Sequence, residues 1–143
     1  MTKLNFYLNF AGNTEEAFNF YKSVFGGEFT SLVRFKDMPM SDVSISGEDG
    51  NKIMHISLPV GKDDVLMATD ILESLGQTLV PGNTINISVH PESKEEADRI
   101  FNALSESGAV EMPIADQMWG DYYGSFKDKF GVRWMVNYRY PKK

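Results

Sequence analysis

The sequence predicts an α+β protein built from two β-α-β-β-β modules, whose curved mixed sheets enclose a shared cavity. Three observations support this prediction: one helical motif occurs twice, a strand-like run precedes each copy, and short apolar runs follow each copy. With 143 residues, of which 42% are hydrophobic, the chain has the size and apolar content of one domain. We therefore expect a single domain over residues 1–143, with modules at about 1–70 and 84–140 joined by a linker at 71–83.

The repeated motif predicts one amphipathic helix in each module. Glu15-Glu16-Ala17 aligns with Glu95-Glu96-Ala97 at an offset of 80 residues (95 − 15). Asn13 and Ser93 precede the two motifs, and short polar side chains of this kind are typical helix N-caps. Apolar residues then recur at helical spacing, as expected of a helix that buries one face. These are Ala17, Phe20, Tyr21 and Val24 in the first copy, and Ala97, Ile100, Phe101 and Leu104 in the second.

Short apolar runs around each helix predict four strands per module. The turn-forming stretches EDGN (48–51) and GKDD (61–64) separate strands in the first module. One helix can cover only one face of a four-stranded sheet, so the other face needs a partner and is a natural small-molecule site. The first strands are expected at Leu4–Phe10 and Thr84–Val89, and the last strands at Val65–Thr69 and Val132–Tyr138.

Charge and composition exclude several classes of function. The net charge of −6 disfavours nucleic acid and anionic membrane surfaces, because both attract basic proteins. The absence of cysteine rules out disulfides, thiolate metal sites and a cysteine nucleophile. No apolar run approaches the roughly 20 residues of a membrane span, and no signal-peptide pattern is present. We therefore expect a cytoplasmic protein that binds neither nucleic acid nor membranes.

The segment DQMWGDYYGSFKDKFGVRWMVN (116–137) carries the most specific resemblance to known proteins. Together with YLNFAGNTEEAFNFYKSVFGGEF (7–29), IMHISLPVG (53–61) and LMATD (66–70), it resembles the PhnB-like family of the vicinal oxygen chelate superfamily. That superfamily includes glyoxalase I, extradiol dioxygenases and bleomycin-resistance proteins. The resemblance implies paired β-α-β-β-β modules and a homodimer, in which a symmetric partner covers open sheet edges.

Proteins of this group often carry the label 3-demethylubiquinone methyltransferase. The sequence does not support that label, because a nucleotide-fold methyltransferase needs a glycine-rich turn between a strand and a helix. Here the glycine pair Gly26-Gly27 follows a helix.

The resemblance also implies where a metal would lie. Enzymes of the superfamily hold a divalent metal through four ligands, mostly His and Glu, from the first and last strands of each module. The four predicted strands contain no His, Asp or Glu, and Asn9, Asn86 and Asn137 are weak ligands for transition metals. Asp70 lies just beyond one of these strands. We therefore expect no metal and no other cofactor.

Two candidate catalytic residues lie in the first module. His55 is in the middle of a predicted strand, and a histidine recurs at this point in the similar family. It is either a satisfied histidine on a sheet surface or a cavity histidine that acts as a general base near neutral pH. Asp70 ends a strand, where it is either a turn former or a polar group at the mouth of the cavity.

The aromatic segment DQMWGDYYG (116–124) predicts a wall of the ligand site, because large aromatic side chains with one polar tip suit pocket walls. In proteins of the similar fold this part of the second module borders the cavity. Asp116 is a candidate anchor of the loop through backbone N–H groups. The predicted ligand-binding residues are Gln117, Trp119, Tyr123 and Tyr7, and the predicted core residues of the later part are Phe126, Phe130 and Trp134.

These observations favour a small-molecule-binding protein of the glyoxalase/bleomycin-resistance fold, without a catalytic metal and with an unidentified ligand. The alternative is an enzyme of lyase, isomerase or dioxygenase type with an atypical site built on His55 or Asp70. A third interpretation is an assembly module whose cavity has lost its ligand.

Overall fold

The computed structural model describes residues 2–37 and 47–142, which form eight strands in two four-stranded mixed sheets. Contacts divide the chain into two units, Met1–Val80 and Pro81–Lys143, each with one sheet. The predicted α+β class with a repeated β-α-β-β-β module is confirmed. The shared cavity and the single-domain boundaries stay predictions. No helix in the described ranges is long and apolar enough to cross a membrane.

The first unit has the strand order β1-β4-β3-β2, in which β1 and β4 are parallel and the other pairs are antiparallel. Short 3₁₀ turns occupy Phe35–Asp37 and Glu73–Leu75. The elements are β1 (Phe6–Phe10), α1 (Thr14–Phe25), β2 (Ser31–Arg34), α2 (Glu48–Asn51), β3 (Ile53–Val60) and β4 (Asp64–Asp70).

The second unit repeats this topology with the order β5-β8-β7-β6, in which β5 and β8 are parallel. Its elements are β5 (Ile87–Val89), α3 (Lys94–Ser105), β6 (Ala109–Asp116), β7 (Asp121–Lys127) and β8 (Arg133–Arg139).

One local prediction was wrong. The strand expected at Thr84–Val89 begins only at Ile87, and Ile85 is exposed, because residues 84–86 do not pair with β8. The EDGN stretch separates strands β2 and β3 as predicted, and it does so as the single helical turn α2. Alternation and turn propensity are local signals, and neither shows whether a neighbouring strand is within reach.

The buried face of α3 follows the predicted spacing, since Ala97, Ile100, Phe101 and Leu104 are all buried. The face of α1 differs at one position.

Helix α1 buries Phe18, whereas Phe20, which was predicted to be buried, is only half-buried. The Phe18 ring packs edge-on against Phe10 of β1, with ring centroids 6.3 Å apart. The strand that lies beneath the helix decides which aromatic ring is covered, and helical spacing alone does not contain that information.

The two helices begin in different ways. The Ser93 hydroxyl accepts a hydrogen bond from the Glu96 N–H at 3.1 Å, so the predicted N-cap of α3 is confirmed. Asn13 makes no such side-chain bond at the start of α1. The carboxylate of Asp70, at the end of β4, takes its place.

Asp70 connects the start of α1, the start of β3 and the end of β4. Its Oδ1 accepts hydrogen bonds from the N–H groups of Gly12 (2.9 Å) and Thr14 (3.0 Å) and from the Thr14 hydroxyl (2.6 Å). Its Oδ2 accepts from the Ile53 N–H at 2.8 Å, and the residue is only 2% exposed. The carboxylate therefore satisfies backbone donors that would otherwise be buried without a partner.

We predict that Asp70→Asn destabilises the protein by about 2–4 kcal/mol, because an amide group cannot accept at both positions and its NH₂ would face a donor. Asp64→Asn, at the exposed start of the same strand, is the matched control and should change stability little. Urea midpoints of both variants test this. Equal midpoints for Asp70→Asn and the wild type would contradict the assignment.

Candidate functional site

Helix α1 covers one face of the first sheet, and the face that α1 does not cover is called the open face below. Successive side chains of a strand point to opposite faces. Ile56 and Ala68, which are paired across β3 and β4, are buried on the side of α1. Tyr7 has the opposite parity to the buried Phe10 of β1, and His55 and Ser57 have the opposite parity to the buried Ile56 and Leu58 of β3, so the three lie on the open face.

Tyr7, His55 and Ser57 form a hydrogen-bonded row, which we call the Tyr7–His55–Ser57 chain. The Tyr7 hydroxyl lies 3.2 Å from His55 Nδ1, and His55 Nε2 lies 2.9 Å from the Ser57 hydroxyl. A neutral imidazole donates at one nitrogen and accepts at the other, and both tautomers satisfy this row. Tyr7 is 50% exposed, whereas Ser57 is buried.

Burial raises the pKa of Tyr7, so its phenol stays protonated at neutral pH. The chain therefore places a phenol, an imidazole and a hydroxyl side by side on the open face. Such a group can bind a polar ligand atom, and its imidazole can exchange a proton with that atom.

The structure does not bring the second catalytic candidate, Asp70, to this face. Its side chain points to the α1 side of the sheet, where both oxygens accept hydrogen bonds from the chain itself. This placement favours an anchoring role for Asp70 over a role at a cavity mouth.

The observed boundaries of β4 differ in one detail from those on which the metal prediction was based. Strand β4 runs from Asp64 to Asp70, so it contains two aspartates, whereas the predicted strand contained none. They occupy opposite ends of the strand, and Asp70 is already used by α1. In the described part of the chain no three His, Asp or Glu side chains come together as metal ligands. The donor set thus does not fit the His/Glu site that the resemblance implied.

In the second unit, Gln117 holds the loop between β6 and β7. Its N–H donates to the Asp121 carbonyl at 2.8 Å, and its carbonyl accepts from the Gly120 N–H at 3.0 Å. Its side-chain Nε2 donates to the carbonyls of Ala115 (3.1 Å) and Tyr123 (3.3 Å). The NH₂ group of Gln117 is therefore used within the hairpin.

Trp119 and Tyr123 form an aromatic pair, in which Trp119 is exposed and Tyr123 is half-buried. Trp119 is 59% exposed, and its ring meets the Tyr123 ring edge-on with centroids 5.8 Å apart. Burial opposes the ionisation of Asp121, but hydrogen bonds from Asn137, Arg139 and Trp119 outweigh it and lower the pKa of Asp121. The ring of Trp119 is largely accessible to solvent.

Most of the other characteristic residues of segment 116–137 build the fold. Asp116 accepts from the hydroxyl of Tyr140, which replaces the predicted anchoring through backbone N–H groups. A Cβ atom at Gly124 would lie 2.6 Å from the Phe101 ring and 2.8 Å from the backbone of Ile114, so only glycine fits there.

Asp128 organises the turn between β7 and β8. Its carboxylate accepts from the N–H groups of Phe130 (2.8 Å) and Val132 (3.0 Å) and from Nε1 of Trp134 (2.8 Å). Phe126 and Trp134 are buried as predicted, whereas Phe130 is only half-buried because it lies in this turn.

Comparison with known proteins gives a consistent result. A family model described as 3-demethylubiquinone-9 3-methyltransferase matches residues 2–137. Protein YjdN of Escherichia coli (strain K12) is 31% identical over 138 residues, which cover 92% of this chain and 91% of YjdN.

Solved structures extend this likeness. Protein PA1353 from Pseudomonas aeruginosa has a TM-score of 0.85 at 37% identity, covering 97% of this chain and 98% of that chain. The PhnB protein from Bacillus cereus has a TM-score of 0.77 at 25% identity, covering 96% and 99%. A glyoxalase/bleomycin resistance protein/dioxygenase family enzyme from Burkholderia phytofirmans PsJN is similar in fold alone, with a TM-score of 0.58 at 13% identity over 94% and 97%.

We predict that the two tryptophans respond differently to truncation. Trp134 is 1% exposed, so Trp134→Ala should cost roughly 3–5 kcal/mol, the usual penalty for a close-packed aromatic residue. Trp119→Ala should cost clearly less, because more than half of the side chain is already in water. Denaturant midpoints measure both. Equal, large destabilisation would show that Trp119 belongs to the core.

We predict a loss of stability at alkaline pH that depends on Tyr122. The hydrogen bond to Asp98 raises the pKa of Tyr122 from 10.0 to about 12. A raised folded-state pKa stabilises the protein below pH 10, and this contribution disappears as the pH rises through 12. Urea unfolding between pH 9 and 12 should therefore show a shallower fall for Tyr122→Phe than for the wild type. Parallel curves would refute the role of this bond.

We predict that EDTA leaves the melting temperature unchanged, because residues 2–37 and 47–142 contain no metal-ligand set that would couple metal binding to folding. A drop in melting temperature that Zn²⁺, Ni²⁺ or Fe²⁺ reverses would show that a metal site exists.

Proposed function

Because this chain belongs to the PhnB-like family, whose model is described as 3-demethylubiquinone-9 3-methyltransferase, and has the glyoxalase/bleomycin-resistance fold, we propose that it binds a small molecule without a metal. The observation that carries the proposal is the Tyr7–His55–Ser57 chain on the open face of the first sheet. Tyr7 and Ser57 are both register partners of Met67 in β4, so polar and apolar contacts are available together. This combination is typical of small-molecule sites.

The second unit offers a separate candidate surface, the aromatic pair of Trp119 and Tyr123. Their rings present a flat apolar surface to an aromatic or amphipathic ligand. Gln117 is left out, because its amide already holds the hairpin.

The methyl transfer in the name of the family model is not part of the proposal. Nucleotide-fold methyltransferases use a doubly wound parallel sheet with a glycine-rich strand-to-helix turn. The two sheets of this chain are mixed, with one parallel strand pair in each.

A second candidate function is proton transfer by His55 on the bound molecule. It is favoured by the position of the imidazole between two hydroxyl groups, which orient the ring and hold its nitrogens near the open face. The reaction class would be an isomerase or lyase step that needs a base near neutral pH.

The first test is native mass spectrometry of the purified protein, followed by a ligand screen with the wild type and two variants. Tyr7→Phe and His55→Gln each remove one member of the chain and should weaken binding about tenfold, the effect of one lost hydrogen bond. His90→Gln is the matched control, because His90 also bonds a serine, Ser88, at 3.1 Å, but in the second unit. Equal binding by all variants, or no ligand in either experiment, would refute the proposal.

The same samples separate the two candidate functions. If His55 transfers protons, His55→Gln should stop a change in ligand mass or isomer composition that the wild type produces. If no product forms with the wild type, the protein is a binding protein and the enzymatic alternative is wrong.

A further inference from the structure

The first unit contains a depression of about 270 Å³ at the ends of β1 and β4. Its apolar wall comes from the segment that follows β4 and from the 3₁₀ turn that follows β2. The residues of this wall are Phe35, Ile71, Leu72 and Leu75. Such a volume lies just below the range of about 300–1,000 Å³ that is usual for sites of drug-sized ligands, so it would hold part of a molecule.

Two neutral amides border this depression. Asn9 lies on the open face of β1, two residues after Tyr7, and its exposed side chain offers a donor and an acceptor. The Gln77 Oε1 accepts from the Leu72 N–H at 2.6 Å, which fixes this amide at the rim with its NH₂ group as a donor. Both amides suit a carbonyl or hydroxyl group of a ligand.

The lining does not suit a charged ligand. None of the described lining residues is cationic, so an anion would lose its hydration without gaining a partner. The one acidic lining residue, Asp70, already accepts hydrogen bonds at both oxygens from Gly12, Thr14 and Ile53, so it is not available to a cation.

We infer that this depression holds an uncharged, apolar part of the ligand, with a carbonyl or hydroxyl group beside Asn9 and the remainder extending along β1 to the Tyr7–His55–Ser57 chain. This inference rests on the proposed function and names the class of molecule: a neutral compound with one apolar end and one hydrogen-bonding group.

Two fluorescent probes with the same ring system test the class of ligand. N-phenyl-1-naphthylamine is neutral, and 8-anilinonaphthalene-1-sulfonate adds a sulfonate to the same rings. The neutral probe should show saturable fluorescence enhancement and a Kd at least about tenfold lower than that of the sulfonate. Equal affinity for both probes, or no binding of the neutral probe, would overturn the inference.

Two leucine variants test whether the probe binds in the depression. Leu75 lines the depression and is 55% exposed, so the Leu75→Glu variant should fold. Because it places a charge on the apolar wall, it should weaken binding of the neutral probe at least about tenfold. Leu79→Glu adds the same charge to the same connecting segment outside the lining and should leave the Kd unchanged. Equal weakening by both variants would show unspecific surface binding and overturn the inference.

The failure of the inference and the failure of the proposed function are distinguishable. In one outcome, Tyr7→Phe or His55→Gln weakens the binding of a ligand from the screen, whereas Leu75→Glu changes the binding of neither that ligand nor the neutral probe. The depression is then not part of the site, and the proposed binding function stands. In the other outcome, Leu75→Glu selectively weakens binding of the neutral probe, whereas Tyr7→Phe and His55→Gln bind like the wild type. The depression is then a binding site, and the Tyr7–His55–Ser57 chain is not part of it.

Discussion

The first unit depends on one buried carboxylate. Asp70 accepts hydrogen bonds from the N–H groups of Gly12, Thr14 and Ile53 and from the Thr14 hydroxyl, which joins the last strand to the start of α1 and of β3. Hydrogen bonds to an ionisable acceptor are stronger than neutral ones, and each buried N–H would be costly without a partner. Because this contact holds α1 on one face of the sheet, the opposite face is left to the Tyr7–His55–Ser57 chain.

A second carboxylate has a comparable place in the second unit. Asp128 accepts from two backbone N–H groups and from the indole of Trp134, and so combines a turn with the aromatic core. Several other characteristic residues of the segment 116–137 are likewise used within the fold, since Tyr122, Phe126 and Trp134 are buried. Trp119 is exposed and packs against half-buried Tyr123, so this pair remains as an aromatic surface that the function can use.

The proposed site combines groups that no single sequence pattern connects. The Tyr7–His55–Ser57 chain offers hydrogen bonds and a titratable ring, whereas the depression bordered by Asn9 and Leu75 offers apolar surface and no available charge. A neutral molecule with one polar group satisfies both parts at once. Such a site can recognise its ligand without a metal, because the polar contacts fix the orientation and the apolar contacts supply most of the binding free energy.

The sequence by itself determined the features that depend on neighbouring residues. Helical spacing predicted the buried face of α3, and the Ser93 cap joins a hydroxyl to a backbone N–H only three residues along the chain. The repeat at an offset of 80 residues predicted two sheets of the same topology. The tertiary structure decided the rest. Asp70 reaches Thr14 across 56 residues, Phe18 rather than Phe20 meets β1, and His55 meets Tyr7 across 48 residues. Propensity and periodicity report on contacts within one or two turns of chain, whereas these contacts exist only after the strands have paired and placed distant residues side by side.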